Sequence, residues 1–205
     1  MKKLCTIFMA AILIASLFIP SASAVSNNLS HTVVKGDTMW KLAVKYQVGV
    51  SEIIKANSHI ANPDLIYPGQ VLSIPQLDTT VTAFENEVIR LVNKIRQENG
   101  LKSLSANWEL SRVARYKSQD MVDNRYFAHN SPVYGTPFQM IKSFGISYRT
   151  AGENIAYGYK TPQAVVDGWM NSSGHRANIL NSSYTQIGVG YVAQGNYWTQ
   201  MFIGS

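Results

Sequence analysis

The chain has one cysteine, Cys5, and it lies inside an N-terminal segment that reads as an export signal. Lys2 and Lys3 precede an apolar run from Ile7 to Ile19, which ends at Pro20 and the small residues Ser21-Ala22-Ser23-Ala24. The run is shorter than the roughly 18 apolar residues that span a bilayer, so a cleaved signal peptide over residues 1–24 is expected rather than a membrane anchor. Cys5 leaves with it. Removing 24 of 205 residues leaves 181 without a thiol, which excludes a disulfide framework and a Cys-based zinc finger. Packing alone must hold the exported chain together, as is ordinary for exported bacterial proteins. No later apolar stretch offers a stable membrane anchor after signal cleavage.

With 46% hydrophobic and 15% charged residues the chain is expected to fold. Loss of Lys2 and Lys3 lowers the net charge from +6 to +4. The remaining excess forms no basic stripe, and export also argues against nucleic acid as a partner. The length allows one ordinary domain or two small ones.

After a polar lead, His31–Val34 reads as a strand ending at Gly36-Asp37. Asp37 or Thr38 then caps a helix through Tyr46. Ser51 opens a second helix that ends near Asn57, Pro68-Gly69 marks a turn, and Gln70–Ile74 alternates as a second strand. The unit is βααβ. Its stretch from GDTMW through NPDLIYPGQVLSIP resembles a LysM domain, assigned to residues 31–76. That resemblance implies a shallow groove for glycans containing N-acetylglucosamine, above all peptidoglycan glycan strands. Gly36, Asp37, Thr38 and Met39 would form one side, and Asn62, Pro63, Asp64, Leu65 and Ile66 the other. Exposed backbone groups can hydrogen-bond acetamido groups there, while aliphatic side chains receive the sugar faces. His31 and His59 are expected on the surface of this unit.

A linker, residues 77–83, leads to a longer unit, residues 84–205. Thr82 and Glu85 have the spacing of a capping box that opens a helix to Asn99. Further helices are expected over Asn107–Asp123, Pro137–Phe144 and Thr161–Met170, followed by a hairpin of Gln186–Val192 and Tyr197–Ile203. Helices precede strands, so an α+β layered domain is expected. Trp40, Trp108, Trp169 and Trp198 are expected to fill cores.

Three segments here concentrate ionisable residues in an apolar or glycine-rich context: Phe127-Ala128-His129-Asn130-Ser131-Pro132, Gly152-Glu153-Asn154-Ile155-Ala156 and Ser173-Gly174-His175-Arg176. Two His and one Glu can exchange protons, orient one another or ligate a metal, or they can form a satisfied hydrogen-bond network. Spacing does not choose among these. The order FAHNSP, GENIA, SGHRANIL, IGVGY and YWTQMF resembles a bacterial CAP domain, of the superfamily of cysteine-rich secretory, antigen 5 and pathogenesis-related proteins. The resemblance implies an α-β-α sandwich whose cleft holds His129, Glu153 and His175, with Asn130, Ser131 and Asn154 shaping it by hydrogen bonds.

The family's second Glu would fall just after Trp169, where this chain has Asn171, Ser172 and Ser173. His129 and His175 alone lack the three protein ligands of a usual catalytic zinc site. Any divalent metal such as zinc is therefore expected to bind weakly, with water completing its shell. There is no G-x-S-x-G elbow, so a serine nucleophile is not expected.

These features suggest a secreted protein of the cell wall or spore envelope. LysM would dock it on peptidoglycan and present a CAP cleft that binds a ligand or regulates another wall-associated protein. The alternative is a metal-assisted hydrolase of peptidoglycan or protein with Glu153 as general base.

Overall fold

The computed structural model describes residues 28–204, so the expected signal peptide, residues 1–24, lies wholly outside the described residues. Among these, no helix is long and apolar enough to cross a membrane.

The first module runs β1 (Leu29–Thr32), α1 (Met39–Tyr46), α2 (Val50–Ala56) and β2 (Val71–Ile74), with β1 and β2 antiparallel. Thr38 caps α1 by accepting from Lys41 N–H. Strand β1 ends two residues before the expected Val34, because the Asp37 carboxylate accepts the Val34 N–H and turns the chain into the loop. Val33, Met39, Leu42, Ala43, Ile53, Leu72 and Ile74 form the core. Buried Asn57 joins α2 to β2 by donating to Ile53 O and Ser73 O and accepting from Ser73 N–H. Gly49, not Ser51, is the N-cap of α2.

Two side chains in this module depart from expectation. His31 is buried, because its position in β1 faces inward, and its ring bridges the Asp37 carboxylate and the Tyr46 hydroxyl at 2.9 and 2.8 Å. Trp40 is 60% exposed. The neighbouring Met39 and Leu42 take the inward face of α1, so Trp40 contributes nothing to the core.

The second domain contains α3 (Thr79–Glu98), β3 (Ser105–Ala106), α4 (Trp108–Asp123), α5 (Pro137–Ser143), β4 (Thr150–Ala156), α6 (Pro162–Met170), α7 (Ser173–Ile179), β5 (Gln186–Val192) and β6 (Tyr197–Gly204). Helix α3 starts inside the expected linker. Asp78 caps it by accepting from Thr80 and Val81 N–H, which leaves Glu85 free for another task. Its buried carboxylate accepts from Arg115 and from the Tyr191 N–H. The capping box expected at Thr82 is absent; one forms instead at Thr136 and Gln139 of α5.

The sheet order is β3-β5-β6-β4, with β3 and β5 parallel and the other pairs antiparallel. Ile187, Val189, Trp198 and Phe202 point to one face, where α3 and α6 add Val88, Val92, Val165 and Trp169. Met201 and Ile203 point to the other, against Leu110, Val113 and Ala114 of α4 and Met140 and Ile141 of α5. The result is α+β with helices on both sheet faces, an α-β-α sandwich.

Gly188 and Gly190 explain the close approach of α4. A methyl group at Gly188 would strike the backbone at Leu110 and Ser111, and one at Gly190 the backbone at Ala114 and Arg115. The IGVGY alternation thus presents bulk to one helical layer and bare backbone to the other.

Across the junction, the Glu52 carboxylate of α2 accepts from Arg112 Nε at 2.6 Å and Nη2 at 2.9 Å, and from the Tyr116 hydroxyl at 2.9 Å. Gly49 makes room for this pairing, since a side chain there would meet both Glu52 and Arg112.

Candidate functional site

The GENIA segment is strand β4, and it carries Glu153 in register with Met201 and Asn154 with Gln200. Strand alternation sends these neighbours to opposite faces. Glu153 turns toward α4, and Asn154 turns toward α7. Asn154 donates to the His175 carbonyl and to Gln200 Oε1, and accepts from Asn178 Nδ2. Asn178 also donates to the Glu153 carbonyl. This amide network ties α7, and with it His175, to the strand that bears Glu153.

On the other face, His129 Nδ1 lies 2.7 Å from Glu153 Oε1. The Glu153 side chain is 2% exposed and the His129 side chain 53% exposed. With the carboxylate ionised, Nδ1–H donates to it and Nε2 keeps its lone pair for a ligand. Burial pushes the Glu153 carboxyl above its ordinary range, against the lowering effect of the His129 hydrogen bond and of the Lys117 charge. Burial and then the charge of His129 push His175 down. Glu153 Oε2 is buried and has no hydrogen-bond partner among the described residues.

The loop bearing His129 is pinned from below by Lys117, a fully buried lysine of α4. Its ammonium donates to Tyr126 Oη and to the carbonyls of Ala128 and His129 at 2.8 to 2.9 Å. Burial pushes Lys117 down, opposed by Glu153 and Asp120. Asp120 accepts from the hydroxyls of Tyr126 and Ser131. Ser131 also accepts from the Val133 and Tyr134 N–H groups, so its hydroxyl is committed to the loop and does not serve as a nucleophile.

The structure therefore brings His129 and Glu153 into contact, with Asn154 and Ser131 as buried supports and Asn130 exposed on the loop. Neither Lys117 nor Asp120 was foreseen in this role. Both sit on the buried stripe of α4, where helical spacing leads one to expect apolar residues, and an ionisable pair at i and i+3 there was the available signal. Phe127, Tyr157 and Tyr197 also cluster beside the site, with ring centroids 4.7 to 6.4 Å apart.

The donor set does not fit a resident metal centre. Among the described residues no group of three His, Cys, Asp or Glu could hold an ion. Glu153 Oε1 is already engaged by His129. Where a second carboxylate would stand, Asn171 ends α6 and Ser172 begins α7.

In the LysM unit, the Asp37 carboxylate braces the fold through Val34 and His31, which holds its pKa below the ordinary value. Thr38 is the helix cap and Met39 is core, so the Met39 side chain is not in the groove. Asn62, Asp64 and Leu65 are exposed, Pro63 is half-buried, and Ile66 packs on the core. A concavity of about 480 Å³ flanks this loop and is lined in part by His59, Asn62, Leu65 and Tyr67. The 36–39 loop does not contribute to it.

Fold and site together define an α-β-α sandwich with a His-Glu cleft, preceded by a small βααβ module. A family model for the cysteine-rich secretory protein (CAP) family matches residues 89–203, and one for the LysM domain matches residues 31–75. The chain belongs to the cysteine-rich secretory protein family and carries a LysM domain in front of that fold. It is 61% identical over 126 residues to YkwD of Bacillus subtilis (strain 168), a match covering 62% of this chain and 49% of YkwD. It is 32% identical over 110 residues to the probable peptidoglycan endopeptidase LytE of the same organism, covering 54% of this chain and 31% of LytE. An extracellular SCP-domain protein from Bacillus anthracis superposes with a TM-score of 0.60 at 34% identity, covering 67% of this chain and 47% of that one. The chain thus spans about half the length, or less, of these relatives.

Proposed function

We propose that the LysM module binds N-acetylglucosamine-containing glycan of peptidoglycan, and that the protein is exported and held at the cell wall or spore envelope with its CAP cleft presented there as a ligand-binding or regulatory site. The presence of the LysM domain supports the glycan partner, as does the likeness to LytE, a probable peptidoglycan endopeptidase. A single module binds weakly, and the repeating wall supplies local concentration.

The observation that carries the reading of the cleft is the burial of Glu153 beneath His129. A carboxylate whose side chain is 2% exposed does not reach a substrate water; it sets the orientation and tautomer of the imidazole above it. His129 is then the group that meets the ligand and Glu153 a positioning residue. A divalent ion such as zinc has only the two imidazoles and water to bind it.

Sedimentation with insoluble peptidoglycan tests the partner. Residues 25–205 should pellet and residues 77–205 should stay in the supernatant; failure of the longer chain to pellet sinks the reading. The second reading, hydrolysis with His129 as proton acceptor, is favoured by the His129–Glu153 pair itself. Release of reducing sugar, free amine or peptide from peptidoglycan by wild type, absent in His129→Ala, would establish it.

A further inference from the structure

The junction between the two modules contains a cavity of about 210 Å³ built from both. Trp40 and Ser51 line it from the LysM side, and Trp108, Glu109, Arg112 and Phe144 from the CAP side. Two indoles on opposite modules thus meet at one small space, together with a carboxylate and a hydroxyl.

Neither core accounts for Trp40, which is exposed on the face of α1 opposite Met39 and Leu42. By contrast Trp169 and Trp198 are buried, and their indole N–H groups donate to the carbonyls of Ile155 and Tyr159. The wall of the cavity is rigid. Arg112 is held in two hydrogen bonds by Glu52 and in one by Ser51, and its guanidinium lies 5.0 Å from the centre of the Phe144 ring. A preformed wall of this kind lowers the ordering cost of a ligand.

Size and chemistry select the occupant. The volume is below the roughly 300 Å³ at which pockets for drug-sized ligands begin, so it suits a single ring and not a helix or an acyl chain. Its aromatic lining, Trp40, Trp108 and Phe144, is joined by the small aliphatic side chains of Ala43 and Val50 and rimmed by Glu109 and Ser51. Aromatic side chains receive the C–H face of a pyranose, and the Glu109 carboxylate accepts from its hydroxyl and amide N–H groups, while the Ser51 hydroxyl, which donates to Glu52 and accepts from Arg112, fixes the rim.

We propose that this cavity is a second saccharide subsite, taking one N-acetylhexosamine ring of the same glycan strand that the LysM module binds. The inference rests on the glycan-binding reading above and extends it to a site that neither module forms alone. A strand seated there favours the arrangement in which Glu52 and Arg112 are paired.

The test uses residues 25–205 labelled with ¹⁵N and titrated with an N-acetylglucosamine oligomer, following backbone amides and the four indole N–H signals. The Trp40 and Trp108 indoles should shift, with Trp169 and Trp198 unmoved. Trp108→Ala should weaken binding about three- to tenfold. Glu109→Gln, which leaves the aromatic walls in place, should weaken it in the same direction and serves if Trp108→Ala unfolds. Shifts at Gly36 and Asn62 with a static Trp108 indole and unaltered affinity in both variants would overturn the subsite and leave the LysM reading intact. No shift anywhere would overturn both. A Trp108 response to a free stem peptide but not to the sugar would overturn the saccharide assignment.

Discussion

Glu153 lies beneath His129, Oε1 to Nδ1 at 2.7 Å, with the carboxylate shut away from solvent and the imidazole half open to it. The pair is ordered from inside outward: the sheet fixes the carboxylate, the carboxylate fixes the ring, and the ring faces the cleft.

Burial raises the Glu153 pKa above its ordinary 4.5, so between those two values the folded state holds the proton more firmly than the unfolded chain. This contribution makes stability fall as pH rises through that window. Glu153→Gln removes the titration and should flatten that part of the profile. Urea midpoints of wild type and variant at pH 4.5 and pH 7.5 check it; parallel profiles would contradict the burial argument.

His175 works in the opposite sense. Its folded pKa is depressed below 6.5, so the unfolded chain takes up the proton first and stability drops as pH falls below 6.5. A smaller loss of Tm between pH 7.5 and pH 5.5 in His175→Gln than in wild type is the expected result.

The Glu52–Arg112 pair should be measurable as a coupling between modules. Burial alone would raise the Glu52 pKa, but hydrogen bonds from Arg112 and Ser51 hold it below 4.5. Its stabilisation is therefore present above 4.5 and disappears as pH falls through the depressed value. A double-mutant cycle of Glu52→Gln and Arg112→Met at pH 7 should give about 1 kcal/mol of coupling, the upper end for ion pairs that keep some solvent contact, and the coupling should shrink as pH is lowered below 4.5. Gly49→Ala should abolish the coupling, since its methyl group displaces both partners.

Gly190→Val should be among the most damaging single changes in the second domain. The new side chain meets the α4 backbone at Ala114 and Arg115, which has no free rotamer with which to yield. A loss of about 3 kcal/mol is expected, read from urea denaturation.

Much of the helical framework was legible because its signals are local. Thr38, one of two candidate caps, caps α1, Thr161 caps α6 with Pro162 in its first turn, and Asn107, where a helix was expected to begin, is the N-cap of α4. Local signals also misled. Thr82 and Glu85 have capping-box spacing, but Asp78 takes the cap and Glu85 is drawn into the interior by Arg115, thirty residues away. The GENIA segment is a strand whose small and polar residues hide the usual alternation, and the seven-residue α7 carries a single buried apolar residue, Ile179. The pairing of His129 with Glu153 was legible only through the family resemblance, because it joins segments that no periodicity relates. Lys117 and Asp120 were marked only by being ionisable at i and i+3 on an otherwise apolar stripe, which does not say what they hold, and nothing in the sequence pointed to Glu52 meeting Arg112 across the junction.

The strand order carries a consequence for how such a chain comes to be folded. The inner strands β5 and β6 follow every helix of the domain in sequence, while β3 and β4, made earlier, lie at the edges. Until residues 186–204 have emerged, the helices have no sheet to close upon, and Glu85 of α3 lacks the Tyr191 N–H that it finally accepts from. The domain cannot assemble progressively from its N-terminal end. The two strands at the middle of its sheet are the last to be made.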